Sequence, residues 1–216
     1  HTAYRRQRQM CIRDRPTEGK TQINLVGFND FHGRITKVDA FAASVLTAKD
    51  TFGADNTVII SSGDQFGASE FESSVDGDQP SKDALKALGV DVYTAGNHEF
   101  DKGQDDAVAI QQELGHMLAT NVTKDGELLL DPYKIVEAGG LRVGVIGAVT
   151  AATPSAVTPS GIEGVTFSDP VEGVNKYADL LTDGDESNGE ADILVASYHD
   201  CLLYTSPSPR DKRQSR

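Results

Sequence analysis

The chain has 216 residues, enough for one sizeable core, with 38% hydrophobic residues and no Trp. No apolar run approaches the roughly 20 residues of a membrane span, so nothing within the sequence anchors it to a bilayer. The formal net charge of -13 argues against a surface built to bind nucleic acid.

The two ends differ from the middle. Residues 1–15 carry five Arg and one Asp, and residues 201–216 carry three Arg, one Lys and one Asp. That leaves 11 basic and 31 acidic residues in 16–200, a net of -20. Both cysteines, Cys11 and Cys201, also lie in the ends. Met10–Arg15 can be encoded by a DNA stretch whose reverse complement, read one base out of frame, gives Cys201–Thr205. Inverted copies of one element explain both ends, which resemble translated transposon-type sequencing adapters. The expectation is a domain over 16–200 flanked by non-native tails, 1–15 and 201–216, that carry no fold information. The cysteines then imply no disulfide framework. The natural protein is expected to extend past both ends, leaving room for a signal region and a further domain.

Within 16–200 the first apolar run, Ile23–Phe28, reads as a buried strand ending at Asp30. Thr36-Lys37-Val38-Asp39 reads as a capping box opening a helix, with Val38, Phe41, Ala42, Val45 and Leu46 on its inner face. Thr57–Ile60 is a second strand, ending near Asp64. Helices are predicted over Ser81–Leu88 and Gln104–Leu114, with a strand from Val90 to Ala95 between them. Tyr133–Ala138 and Arg142–Val149 flank Gly139-Gly140 as a hairpin. Thr150–Gly164 and the acidic Asp183–Glu190 read as surface loops. Asp169-Pro170 caps and opens a helix whose inner stripe is Val171, Val174, Ala178 and Leu181. Ile193–Ala196 is a last strand, running into His199. Alternating strands and helices predict an α/β layered fold with a largely buried sheet.

Four polar motifs fall where predicted strands end: Asp30-Phe31-His32-Gly33, Gly63-Asp64, Gly96-Asn97-His98-Glu99-Phe100-Asp101 and Tyr198-His199-Asp200. In α/β folds, sites gather beyond the carboxyl ends of strands. Together these motifs supply carboxylates, imidazoles and an amide, a mixed oxygen and nitrogen set suited to two divalent ions such as Mn, Zn or Fe. Such a pair can clamp a phosphoryl group, generate hydroxide and stabilise the leaving oxygen.

Asp30-x-His32, Gly63-Asp64, Gly96-Asn97-His98-Glu99 and His199 resemble the successive signatures of calcineurin-like metallophosphoesterases. Asn29–Gly33, Ser62–Asp64, Gly96–Asp101 and Ala119-Thr120-Asn121-Val122 resemble the 5′-nucleotidase/UDP-sugar hydrolase branch. The resemblance implies an α/β/β/α sandwich, incomplete at its carboxyl-terminal side. It implies that Asp30 and His32 bind one metal, Asp64 bridges both, and Asn97 and His199 bind the second. His98 matches the residue that steadies charge on the phosphoryl group, and Asp101 would orient it; Glu99 is expected to give structural support only. The implied function is removal of phosphate from nucleotides or related phosphoesters, in an extracellular, periplasmic or cell-surface bacterial setting.

The alternatives are a phosphodiesterase, UDP-sugar or cyclic-nucleotide hydrolase of the same fold, and a non-catalytic metal-binding fragment. The chain ends before the Gly-His-x-His or Gly-His-x-Gln element the family would supply, and before the carboxyl-terminal domain that holds the substrate's base or sugar. The chain by itself is therefore expected to have little activity. His116, left outside every motif, reads as an ordinary surface residue near a helix C-terminus.

Overall fold

A computed structural model describes residues 20–200; the tails predicted for 1–15 and 201–216, with both cysteines, lie outside the described residues. In chain order the elements are β1 (Asn24–Phe28), α1 (Val38–Phe52), β2 (Thr57–Ser62), α2 (Phe71–Ser74), α3 (Gln79–Leu88), β3 (Val92–Thr94) and α4 (Gln104–Leu114). They continue as β4 (Val122–Lys124), β5 (Glu127–Leu128), β6 (Tyr133–Ala138), β7 (Leu141–Val149), β8 (Val165–Phe167), α5 (Pro170–Leu180) and β9 (Ile193–His199).

β1, β2 and β3 form a parallel sheet with β2 in the centre. Every residue from Thr57 to Ser61 is buried because both faces are covered, which is why β2 reads as one continuous apolar run. Ile59 packs on the helix side with Phe41, Val45, Leu85 and Leu88. Its neighbours Val58 and Ile60 point the other way and meet Val143, Val145 and Leu118. Those residues belong to or lie against a second sheet, ordered β6-β7-β9. In that sheet β6 and β7 form the predicted hairpin, with Gly139 and Gly140 both at positive φ, as a two-residue turn matched to strand twist requires. On its outer face lies α5, where Val174 and Leu181 pack with Ile146 and Ala148. The layers are helix, sheet, sheet, helix, the predicted α/β/β/α order. Each fully buried aliphatic side chain contributes about 1.5–3 kcal/mol to holding them together.

Three local expectations are corrected. Thr36 does not cap α1: its hydroxyl donates to Glu70 Oε2 at 2.6 Å, and a short 3-10 turn over Ile35–Lys37 leads into the helix instead. Leu46 and Val171, placed on inner stripes, are about half exposed, because each lies at the flank of its helix rather than under it. The segments over 150–164 and 183–190 are mostly exposed loops as expected, with short 3-10 turns at Thr153–Ser155, Pro159–Ile162 and Glu186–Asn188. His116 is half-buried, stacked on Tyr93 with ring centroids 5.5 Å apart and touching Lys134 Nζ at 3.2 Å. By contrast, Asp169 caps α5 as predicted, its Oδ1 accepting from the Val171 amide at 2.7 Å. Among the described residues, no helix is long and apolar enough to cross a membrane.

Candidate metal centre

Three parallel strands and β9 deliver their motifs to one rim. Past β1 and β2 the two loops keep pairing: the amides of Asp30, His32 and Gly33 donate to the carbonyls of Gly63, Asp64 and Gln65 at 3.0–3.1 Å. They do so while Asp30, His32 and Asp64 all adopt positive φ, at 54°, 46° and 54°. Such conformations cost on the order of 1–3 kcal/mol each for non-glycine residues and persist where the surroundings over-determine them. Here they turn three polar side chains towards one point.

The Asp64 carboxylate is the hub. It is 3% exposed. Its Oδ2 lies 3.0 Å from His199 Nε2 and 3.8 Å from His32 Nε2, and its Oδ1 accepts the His98 amide at 3.0 Å. Asp30 Oδ1 is 3.5 Å from His32 Nε2. Burial works against the Asp64 anion, but the hydrogen bond and charge of His199, with the His98 amide, outweigh it and hold the carboxyl below its ordinary range.

Each imidazole has its Nδ1 committed elsewhere. His32 Nδ1 meets the Gly67 carbonyl at 2.9 Å, His199 Nδ1 meets the Ser62 carbonyl at 2.9 Å, and His98 Nδ1 meets Asp101 Oδ2 at 2.8 Å. A carbonyl can only accept, so at His32 and His199 the Nδ1 carries the proton and Nε2 is left to face the carboxylates. That is the arrangement expected of imidazoles that ligate a cation through Nε2. Two groups of donors converge to within 4.8 Å: Asp30, Asp64 and His199, and His32, Asp64 and His98. They share Asp64. The chemistry of this donor set fits divalent ions of the Mn, Zn or Fe type.

Burial opposes protonation of His199, yet the Asp64 hydrogen bond and charge and the Ser62 carbonyl push it up to about 9. His98 is likewise raised: Asp101, Asp64 and Glu99 together overcome its burial. The His32 and His98 rings meet edge to face, 4.9 Å between centroids. Asn97 lines the adjoining cavity of about 480 Å³ with Asn29, Asp30, Asp64, Tyr198 and His199. All seven residues predicted from the motifs thus stand at or beside this cluster, Asp101 through its contact with His98.

Glu99 does more than its motif position suggests. It is 1% exposed, and its two oxygens accept four backbone amides, from Asp64, Gln65, Phe66 and Gly96 at 2.6–3.1 Å. Burial and the Asp64 charge push its carboxyl up to about 7 against those donors. Gly63 and Gly96 are required by close approach: a Cβ at Gly63 would stand 2.3 Å from His199 Nδ1, and one at Gly96 would stand 2.1 Å from Asp64 Oδ1. Fully buried Asn121 anchors the neighbouring strand end. Its amide nitrogen donates to the Val149 and Ser168 carbonyls at 2.7 and 2.9 Å, and its oxygen accepts the Val149 amide at 3.0 Å. Val149 in turn pairs with His199 across β7 and β9.

No family model matches the chain. Among curated proteins it is 30% identical to Endonuclease YhcR of Bacillus subtilis, over 74% of this chain and 16% of that protein. It is 27% identical to cell wall protein Lmo0130 of Listeria monocytogenes, over 88% of this chain and 29% of that protein. It is also 27% identical to a 5′-nucleotidase of Vibrio cholerae, over 82% and 34%. The chain thus spans about a sixth to a third of the length of these relatives. Among solved structures, the calcineurin-like phosphoesterase YfkN of Bacillus subtilis superposes with a TM-score of 0.66 at 22% identity, over 87% of this chain and 65% of that one. A Staphylococcus aureus structure classed among the 5′-nucleotidases gives 0.69 at 25% identity, over 86% and 39%.

The described residues therefore form a calcineurin-like metallophosphoesterase fold. In sequence it is similar to 5′-nucleotidases such as that of Vibrio cholerae, the branch that the motifs from Asn29 to Asp101 resemble.

Proposed function

We propose that this chain houses a dinuclear, metal-dependent phosphoester hydrolase site that removes phosphate from nucleotides. The observation that carries the reading is Asp64, whose carboxylate stands between the Nε2 atoms of His199 and His32, where it could be shared by two cations. In this reading Asp30 and His32 hold the first ion, Asp64 bridges, and Asn97 and His199 hold the second, each ion being Mn, Zn or Fe. Bound there, such ions polarise phosphoryl oxygens and make water nucleophilic at neutral pH. The chain's own groups do the rest. His98, whose proton affinity Asp101 and Asp64 raise against the effect of burial, presents Nε2 to the charge that grows on the phosphoryl oxygens, while Asp101 fixes its ring through Nδ1. Asn97 offers an uncharged amide to the same group. The cell-wall description of the Listeria relative supports an extracytoplasmic or cell-surface setting.

The test is release of inorganic phosphate from a nucleoside 5′-monophosphate by the purified chain with added Mn²⁺. Turnover that needs the metal and disappears in Asp64→Ala supports the proposal. Because the chain alone is expected to turn over slowly, metal binding that Asp64→Ala removes keeps the site assignment even where turnover is too slow to measure; metal binding unaffected by Asp64→Ala, or metal-independent hydrolysis, overturns it.

A second reading, cleavage of phosphodiesters, is favoured by the name of the Bacillus subtilis endonuclease relative. Against it stands the net charge of -20 over residues 16–200, since polyanionic backbones recruit basic surfaces. Parallel assays on a nucleoside monophosphate, a cyclic nucleotide and single-stranded DNA separate the two.

A further inference from the structure

His199 is carried by an edge strand. β9 is the last strand of the order β6-β7-β9 and pairs with β7 alone. Yet its imidazole must meet Asp64, which belongs to the other sheet. Apolar packing between the sheets is non-directional and does not by itself fix how far β9 slides along β2. Deep between the sheets the contacts are of that kind, among Val58, Ile60, Val92, Val143 and Val145.

At the site end the chemistry changes. The final residues of β2 and β3 are Ser62 and Thr94, and opposite them stands Ser197 of β9. Ser197 Oγ accepts from Thr94 Oγ1 at 2.7 Å and lies 3.0 Å from Ser62 Oγ. Ser197 is 4% exposed and Thr94 fully buried. Residues two apart on a strand share a face, so Ser197 and His199 both look towards the first sheet. Ser62 is consequently gripped at two points by β9: its hydroxyl by Ser197 and its carbonyl by His199 Nδ1 at 2.9 Å. Hydrogen bonds, unlike apolar contacts, are made at one register and lost at the next.

We propose that Ser197 is a positioning residue, a hydroxyl pin that locks the edge strand to the ends of β2 and β3 so that the His199 imidazole reaches Asp64. Its consequence for cation binding rests on the reading of Asp64 and His199 as ligands; the pin itself does not.

The test uses the 216-residue chain and the variants Ser197→Ala and Ser197→Thr. In the metal-free protein, NMR of the histidine side chains follows the hydrogen-bonded Nδ1–H of His199. The expected result is that Ser197→Ala broadens or loses that proton and shifts the His199 ring, that His32 and His98 are unchanged, and that Ser197→Thr restores the wild-type signal. An unaltered His199 signal in Ser197→Ala overturns the proposal. Equal disturbance of all three histidines also overturns it, since that is what loosened packing alone would give. In a second arm, calorimetric titration with Mn²⁺ should show roughly 10–100-fold weaker binding at one ion in Ser197→Ala, the other being kept, a loss typical of removing a group that orients a ligand. Wild-type protein that binds no Mn²⁺ sinks the metal assignment of the previous section, while the NMR arm still decides the pin.

Discussion

A single buried carboxylate holds the metal-site loops in shape. Glu99 reaches 35 residues back along the sequence to collect the amides of Asp64, Gln65 and Phe66, together with its near neighbour Gly96. Each oxygen takes two donors, so neither can be replaced by a donor without conflict. Glu99→Gln keeps the size but puts an amide group where two backbone N–H groups point. Leaving two buried donors unsatisfied costs on the order of 2–5 kcal/mol. Urea unfolding should show that loss, and a change below about 1 kcal/mol would mean the amides find other partners. The motif containing Glu99 was legible because its residue types match a chemistry. Its clamp role was not, since linear spacing does not reveal that the Asp64 loop folds its amides inward. The Ser197 hydroxyl was equally invisible, although its even spacing from His199 on a strand offered the signal.

Element by element, the sequence is most readable where burial is two-sided or a cap is local. β2 is apolar throughout because helices and a second sheet cover it. α5 starts where Asp169 and Pro170 say it should, with Asp169 Oδ1 taking the Val171 and Glu172 amides at 2.7 and 3.4 Å. Asp169→Ala should therefore lower stability by about 1 kcal/mol, read as a drop in thermal midpoint. Thr36→Ala should leave α1 helicity unchanged, because Thr36 spends its hydroxyl on Glu70 rather than on a helix amide. A fall in α1 helicity in Thr36→Ala would contradict this account of the caps. The failure at Thr36 has a plain cause: a capping pattern competes with tertiary partners that the pattern cannot see. The small sheet β5-β4-β8 was not anticipated, since its strands are only two or three residues long. Its signal was present in Asp125-Gly126, both at positive φ, the dipeptide of a tight hairpin turn.

For the molecule as a whole, one acid-sensitive group lies far from the motifs. His116 was read as a surface residue, but Gly115 ends α4 and turns the chain inward, laying the ring on Tyr93 beside Lys134. Burial, then the Lys134 charge, push His116 down to about 4 from an ordinary 6.5. The folded state thus favours the neutral ring, and the unfolded chain takes up the proton first. Stability from this group is complete above about pH 6.5 and is lost as pH falls from there towards about 4. Glu113 adds a separate loss lower down. Although burial alone would raise it, bonds from Lys82, Gln79 and Lys86 hold it at about 2 against an ordinary 4.5, so its contribution fades between about pH 4.5 and 2. Glu99 and His199, raised to about 7 and about 9, gain stability on protonation over part of the same range, so the His116 contribution is read as a difference. Metal-free unfolding free energy of wild type minus that of His116→Gln should fall between about pH 6.5 and 4 and stay flat from there to about pH 2.5, where Glu113 acts equally in both. The cation site supplies an independent lever at neutral pH. An ion that binds only the folded state stabilises it by about 2.7 kcal/mol at a hundred times its dissociation constant. Mn²⁺ should therefore raise the thermal midpoint of wild-type protein, a chelator should reverse the rise, and Asp64→Ala should abolish it while keeping the His116-linked acid transition. If Asp64→Ala retains the Mn²⁺ increment, the ion sits elsewhere on this acidic surface and Asp64 is not its bridge.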